Sequence, residues 1–274
     1  MLCGPAGSPA GAGRPGGLDG AKRFFLPGRN HRQRKKGGIP LTWAIAHRGA
    51  SDRYPENTLL AFEQALELGA EAVECDVHLS ADGEVVVIHD PTVDRTTNGH
   101  GEVAAMTLEE LRRLDAGIRR HPRFAGQRIP TLSEVLELVR GRAQVFIELK
   151  GTSPELPRRV VEVVRAGGMA GEAWLFTANR AVLEELRRTA PEMHVRWREG
   201  MEKGDFVLTW PERLTEATVA VYRERGMRIF TTIVDRCPNH RAQEIASRMF
   251  RLRIDGVICN RVRLLQEVFS GASR

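Results

Sequence analysis

From Leu41 onward, short apolar runs of strand length alternate with stretches whose apolar residues recur every three or four positions. Trp43 to His47 (WAIAH) reads as a strand, and residues 57–68 place Leu59, Phe62 and Leu66 on one helical face. Ala72 to Leu79 (AVECDVHL) is a second strand. Asp82-Gly83 then marks a tight turn into Glu84 to His89 (EVVVIH), which predicts a hairpin. Residues 91–130 are irregular apart from a short helix at 108–114 (LEELRRL), and they read as an insertion. Regular alternation follows, with strands at 145–149, 173–177, 194–198, 205–209, 227–233 and 256–259. The helices of that stretch fall at 132–139, 155–166, 181–188, 214–225, 239–249 and 262–269. Leaving aside the hairpin's second strand, eight strands remain, most of them followed by a helix. That count fits an α/β fold of the closed TIM (β/α)8 barrel type, with an open doubly wound sheet as the rival. A link of about six residues between the fifth and sixth of these strands is too short for a crossover helix, so the barrel is trimmed there.

Composition changes the picture at one end only. Of the first 40 residues, 15 are Gly or Pro and none shows apolar periodicity, so residues 1–40 read as a disordered basic tail ahead of a domain spanning 41–274. The formal charge of +6 belongs to that tail: it holds eight Lys or Arg and one Asp, a net of +7, and the body is left at −1. A nearly neutral body argues against a nucleic-acid partner. No stretch approaches the roughly 18 apolar residues of a membrane-spanning helix. The tail's longest apolar run, Phe24-Phe25-Leu26-Pro27, is no export signal, which makes the cytoplasm the expected location. Cysteines at 3, 75, 237 and 259 form no CxxC pair, so neither a thiolate zinc site nor a disulfide framework is expected.

Chemistry collects at the C-terminal ends of the predicted strands, the end at which such barrels work. His47 and Arg48 close the first strand, Glu74 and Asp76 lie in the second, His89 and Asp90 end the hairpin, and Glu148 and Lys150 close the next strand. Glu74 and Asp76 are two residues apart and therefore share a face, with Val73, Cys75 and Val77 on the other. Two carboxylates side by side in an apolar strand repel unless a positive charge lies between them. A metal ion is the simplest such charge, and Arg48 or Lys150 in a salt-bridge cluster is the alternative. With Glu148 as a third ligand the donor set is all oxygen, which suits Mg2+ or Ca2+ better than zinc. His47 and His89, framed by Arg48, Lys150 and three carboxylates, fit an acid and base pair around an anionic substrate. His31, His78, His100, His121, His194 and His240 are read as structural, and Cys75 as core. Trp174, Trp197 and Trp210 either line a pocket or pack under the helices, with packing expected for at least two of them.

The segments at 45–58 (IAHRGASDRYPENT), 73–76 (VECD), 82–99 (DGEVVVIHDPTVDRTTNG), 129–132 (IPTL) and 147–150 (IELK) together resemble the glycerophosphodiester phosphodiesterase family. Several separated blocks match in the right order, and the resemblance covers about residues 43–269. It implies a TIM barrel with a small insertion, one divalent cation, Mg2+ or Ca2+, and hydrolysis of glycerophosphodiesters to sn-glycerol 3-phosphate and an alcohol. On the matching positions it implies His47 and His89 as catalytic histidines and Arg48 and Lys150 as phosphate-neutralising residues. Glu74, Asp76 and Glu148 become the metal ligands, and Glu56 and Asn57 of the PENT block support the site. The implied reaction passes through a cyclic 1,2-phosphate formed by the substrate's own hydroxyl.

This chain departs from the family in the second half of the barrel. Thr232, within Thr231-Thr232-Ile233-Val234-Asp235, stands where family members often carry a tryptophan. The last strand ends Val257-Ile258-Cys259-Asn260, and the span 190–210 is short. These changes fall where the alcohol side of a substrate would be shaped. The competing enzymatic reading is a lysophospholipase D-like or sphingomyelinase D-like enzyme acting on a lysophospholipid, which needs an apolar groove beside the mouth. A non-catalytic phosphoester-binding protein has no need of two histidines and three metal ligands.

Overall fold

Buried β-branched and aromatic runs form nine strands in the computed structural model, which describes residues 42–233 and 238–271. The basic tail with Cys3, and Val234, Asp235 and Cys237, lie outside the described residues. In chain order the strands are β1 (Trp43–His47), β2 (Ala72–Leu79), β3 (Val85–Val87), β4 (Gln144–Leu149) and β5 (Ala173–Phe176). They continue with β6 (His194–Val195), β7 (Phe206–Thr209), β8 (Arg228–Ile233) and β9 (Gly256–Cys259). Eight of them are parallel neighbours in the order β6-β5-β4-β2-β1-β9-β8-β7, and β3 pairs antiparallel with β2 as the expected hairpin. A parallel bridge between Arg196 and Phe206 and a Trp197 N–H bond to the Phe206 carbonyl (2.6 Å) join the two end strands. The sheet thus curls into a nearly closed (β/α)8 barrel, and the open-sheet alternative falls away. Strand β6 is shorter than the predicted 194–198 because the chain leaves β5 after Arg196, whose amide still bonds the Leu175 carbonyl, to make this closure. No helix separates β6 from β7.

The helices are α1 (Leu59–Glu67), α2 (Leu108–Arg113), α3 (Leu132–Val139), α4 (Leu156–Ala166), α5 (Arg180–Thr189), α6 (Glu216–Glu224), α7 (Asn239–Arg251) and α8 (Val262–Gly271). Several start on side-chain caps: Thr58 accepts from the Ala61 amide, and Thr131 and Glu134 form a reciprocal capping box at α3. Their apolar faces cover the outward residues of the strands, such as Val73, Cys75, Val145 and Ile147. Among the described residues, no helix is long and apolar enough to cross a membrane.

Inward residues fill the barrel's lower half with rings. Ile45, Phe146, Trp174, Phe206, Phe230 and Ile258 form one cluster, in which Phe146 stacks on Trp174 at 5.3 Å with an 11° interplanar angle. Each such aromatic contact adds about 0.5–1.5 kcal/mol to simple burial. This layer seals the barrel beneath the inward residues one step further along the strands, which carry the charges. The irregular stretch over 91–130 folds onto the hairpin around Val93, Val103, Leu111, Ala116 and Ile129, packed on Val86 and Ile88. Of the three tryptophans considered above, Trp174 and Trp197 pack, and Trp210 is 51% exposed just beyond β7.

Candidate active site

The first strand ends in a turn that only an unusual backbone permits. Arg48 (φ 57°) and Gly49 (φ 79°) are both left-handed, and a Cβ on Gly49 would lie 2.6 Å from the Ala61 backbone carbon. The turn is held by the Arg48 amide donating to the Glu74 carbonyl (2.9 Å) and to Glu74 Oε2 (3.0 Å). The Asn57 amide in turn donates to the Arg48 carbonyl at 3.1 Å. Asn57 is also left-handed (φ 56°), so two non-glycine residues at this one corner hold a costly conformation. The outcome is that His47, Arg48 and Asn57 face the centre of the mouth.

Register brings the carboxylates together. His47 lies opposite Glu74 across β1 and β2, and Asp76 lies opposite Glu148 across β2 and β4. One ligand oxygen from each of Glu74, Asp76 and Glu148 falls within 4.8 Å of the others. Asp76 is fully buried: Asn57 Nδ2 donates to its Oδ2 at 2.9 Å, and Arg48 Nε sits 3.0 Å from the same atom without hydrogen-bond alignment. Asp76 Oδ1 has no hydrogen-bond partner, although Lys150 Nζ stands 3.7 Å away. Lys150 instead pairs with Glu148 at 3.1 Å. Burial, then the neighbouring Asp76 and Glu148 charges, push the Glu74 carboxyl well above its usual range. Burial and Asp76 also raise Glu148, against the pull of Lys150. Two side-chain cations therefore leave three crowded carboxylates incompletely compensated, with an orphaned oxygen turned inward. This is the condition a divalent cation relieves, and an all-oxygen donor set fits a hard one.

Each histidine is anchored through Nδ1. His47 Nδ1 lies 2.5 Å from Asn260 Oδ1, while its Nε2 is 3.9 Å from Glu74 Oε2. Burial, followed by the Arg48 charge, lowers the His47 pKa to about 4. His89 Nδ1 lies 2.6 Å from Asp90 Oδ1, and Arg95 clamps the same carboxylate through its Nε (2.6 Å). The Arg95 hydrogen bonds, before any other influence, hold Asp90 down at about 2. Arg95 also reaches both oxygens of Glu56 at 2.8 Å, and Glu56 meets Arg48 Nη1 at 3.0 Å. Burial pushes the Glu56 carboxyl up, but Arg95 and Arg48 outweigh it and leave it below its usual value. His78 joins the same assembly, with its Nε2 donating to the His89 carbonyl at 3.0 Å.

All nine residues singled out in the sequence thus meet at one mouth: His47, Arg48, Glu56, Asn57, Glu74, Asp76, His89, Glu148 and Lys150. Sequence reasoning missed Asn260 and Arg95, gave Asp90 no task, and placed His78 beside the cluster by parity without finding its bond to the His89 backbone. Arg95 sits in the DRTTNG block and Asp90 follows His89 directly, so both carried a positional signal. Asn260 had only its position at the end of the last strand. Cys75 is buried on the helix-facing side, where burial and then Glu74 raise its thiol well above the usual value, as befits a core residue.

Guanidinium and ammonium groups beside crowded carboxylates, with two anchored imidazoles at the working end of a barrel, define a hydrolase of phosphate esters. Comparison with known proteins narrows the class. Residues 47–189 match the model of the glycerophosphoryl diester phosphodiesterase family. A glycerophosphodiester phosphodiesterase of Caldanaerobacter subterraneus subsp. tengcongensis is 36% identical over 232 residues, covering 79% of this chain and 93% of that one. The crystal structure of a glycerophosphodiester phosphodiesterase from Agrobacterium tumefaciens superposes with a TM-score of 0.72 at 32% identity, over 82% of this chain and 99% of that one. The chain belongs to the glycerophosphoryl diester phosphodiesterase family, and it is an enzyme of that family.

Proposed function

We propose that the chain hydrolyses glycerophosphodiesters to sn-glycerol 3-phosphate and an alcohol, with the substrate's own 2-hydroxyl as first nucleophile and a cyclic 1,2-phosphate as intermediate. The observation that supports this reading is the pairing of two Nδ1-anchored histidines with the Glu74–Asp76–Glu148 cluster. Those three carboxylates would hold a divalent cation, Mg2+ or Ca2+. When bound, such an ion acidifies a coordinated hydroxyl and offsets phosphate charge.

The chain's own residues supply the rest. Arg48 and Lys150, at the rim of the cluster, offer donors to the anionic phosphate oxygens, whose charge the attack concentrates. One imidazole Nε2 accepts the hydroxyl proton as its oxygen bonds to phosphorus. The other histidine protonates the alcohol oxygen as the bond to phosphorus breaks. Water then opens the ring with the two roles exchanged. Holding the nucleophile within the substrate removes the entropy cost of capturing water in the first step. Asn260 and Asp90 fix the ring orientations, and the Arg95–Glu56–Arg48 chain ties both halves of the site together.

The test compares glycerophosphoethanolamine, whose leaving alcohol has no hydroxyl of its own beside the ester, with its analogue lacking the glycerol 2-hydroxyl. The proposed route predicts release of sn-glycerol 3-phosphate from the first and no cleavage of the second. Equal cleavage of both would replace it with direct attack by water. Trp210, exposed beyond β7, is the kind of apolar surface a lysophospholipid chain would use. Lysophosphatidylcholine is therefore the third substrate in the comparison, and its preferential cleavage would select the lipid reading.

A further inference from the structure

The wall of the mouth opposite the carboxylate cluster carries a cation of its own. Alternation along β6 sends Val195 outward into the core beneath the helices, which turns Arg196 inward. There it shares the upper layer with Phe176, Leu208 and Thr232, above the aromatic rings of the barrel floor. Its amide donates to the Leu175 carbonyl (3.0 Å), and its Nη2 donates to the Leu208 carbonyl (2.6 Å). Its Nε is buried and has no hydrogen-bond partner. Arg48 and Lys150 are each in ion pairs, with Glu56 and Asp76 and with Glu148 respectively. Among the described residues, no carboxylate makes such a pair with Arg196. Burial, then the nearby Arg198, disfavour its charge, while Glu148 favours it, so the guanidinium lies within electrostatic reach of the cluster.

A half-buried guanidinium with no carboxylate beside it is costly, and an anion that supplies the counter-charge from the mouth offsets that cost. The position of that ligand follows from the reading of the site given above, on which this inference rests. The glycerol arm must bring its hydroxyl to Glu74, Asp76 and Glu148, on β2 and β4. The alcohol arm then extends across the mouth toward β5 to β8, where Phe176, Leu208 and Thr232 present no negative charge to receive a cationic head group.

We infer that Arg196 is a specificity-determining residue that selects glycerophosphodiesters whose alcohol carries an anionic group, a carboxylate or a second phosphate, over those carrying a quaternary ammonium. Coulombic repulsion of the ammonium and Coulombic attraction of the anion by the guanidinium act in the same direction.

The experiment measures kcat/KM of the metal-loaded full chain for three diesters of similar size: glycerophosphoglycolate, glycerophosphoglycerol and glycerophosphocholine. A phosphate-bearing alcohol, glycerophosphoglycerol phosphate, distinguishes the two anion types. The expected result is at least a tenfold preference for one of the anionic alcohols over choline in the wild type. That ratio should collapse toward 1 in Arg196→Gln and be largely retained in Arg196→Lys, which keeps the charge. A wild-type ratio at or below 1 would overturn the inference without any variant, and so would a ratio unchanged in Arg196→Gln. Failure of the wild type to cleave any of the diesters would instead overturn the underlying reading of the site.

Discussion

Asp90→Asn is the substitution that isolates one catalytic support with the least disturbance. The carboxylate meets His89 Nδ1 at 2.6 Å and Arg95 Nε at 2.6 Å, and an amide of the same shape can keep its oxygen toward the imidazole while its NH2 turns to the Arg95 Nε–H and loses that bond. Arg95 stays in position because both oxygens of Glu56 hold it at 2.8 Å. What changes at His89 is the character of the bond to the imidazole. Hydrogen bonds to charged groups contribute about 1.5–3 kcal/mol and neutral ones about 0.5–1.5 kcal/mol, so the exchange costs about 1–1.5 kcal/mol. If His89 works in the transition state, that loss appears as a drop of roughly tenfold in kcat/KM, carried mainly by kcat. Steady-state kinetics on glycerophosphoglycerol at saturating Mg2+ or Ca2+ reads it, and a metal titration of the same variant shows whether affinity for the ion is preserved. A kcat/KM within twofold of wild type would refute the reasoning, because the closest partner of His89 would then contribute nothing to turnover.

Other consequences are equally direct. His47→Ala or His89→Ala should lower kcat by about 10²–10⁴-fold, the usual worth of a general acid or base, with the circular dichroism spectrum unchanged. Glu74→Gln should weaken metal binding by tenfold or more in a calorimetric titration while raising the thermal midpoint of the metal-free protein, since it removes one of three crowded carboxylates. Gly49→Ala combines φ 79° with a 2.6 Å clash against Ala61 and should lower the midpoint and abolish activity together, as the His47-Arg48 turn cannot form. Asp90 titrates at about 2 in the fold against a usual 3.8, so its contribution to stability is complete above pH 3.8 and is lost as pH falls toward 2. Acid unfolding monitored across that window should therefore be shallower in Asp90→Asn than in wild type.

The barrel was readable because its punctuation is regular: eight apolar runs, amphipathic stretches between them, and the Asp82-Gly83 turn that makes β3 fold back on β2. The charged residues were readable for a related reason, since Glu74, Asp76 and Glu148 sit where side-chain parity and strand ends alone put them at the mouth. Interactions that depend on closure were not readable. Asn260 meets His47 across 213 residues of chain, and Arg95 meets Glu56 across 39, so neither contact leaves a local pattern. The shortened β6 has the same origin: residues 196–198 have strand-like composition, but joining β7 diverts the chain from β5 beyond Arg196. His78 shares parity with Glu74 and Asp76, and only the return of the hairpin shows that its ring supports the His89 backbone.

The most direct measurement is release of sn-glycerol 3-phosphate from glycerophosphoglycerol by metal-stripped protein, before and after Mg2+ or Ca2+ is restored. The account predicts no release in EDTA, recovery with one or both cations, and no recovery at the same metal concentration in Glu74→Gln. Release at an undiminished rate in EDTA would contradict it, because the three converging carboxylates would then have no part in the chemistry.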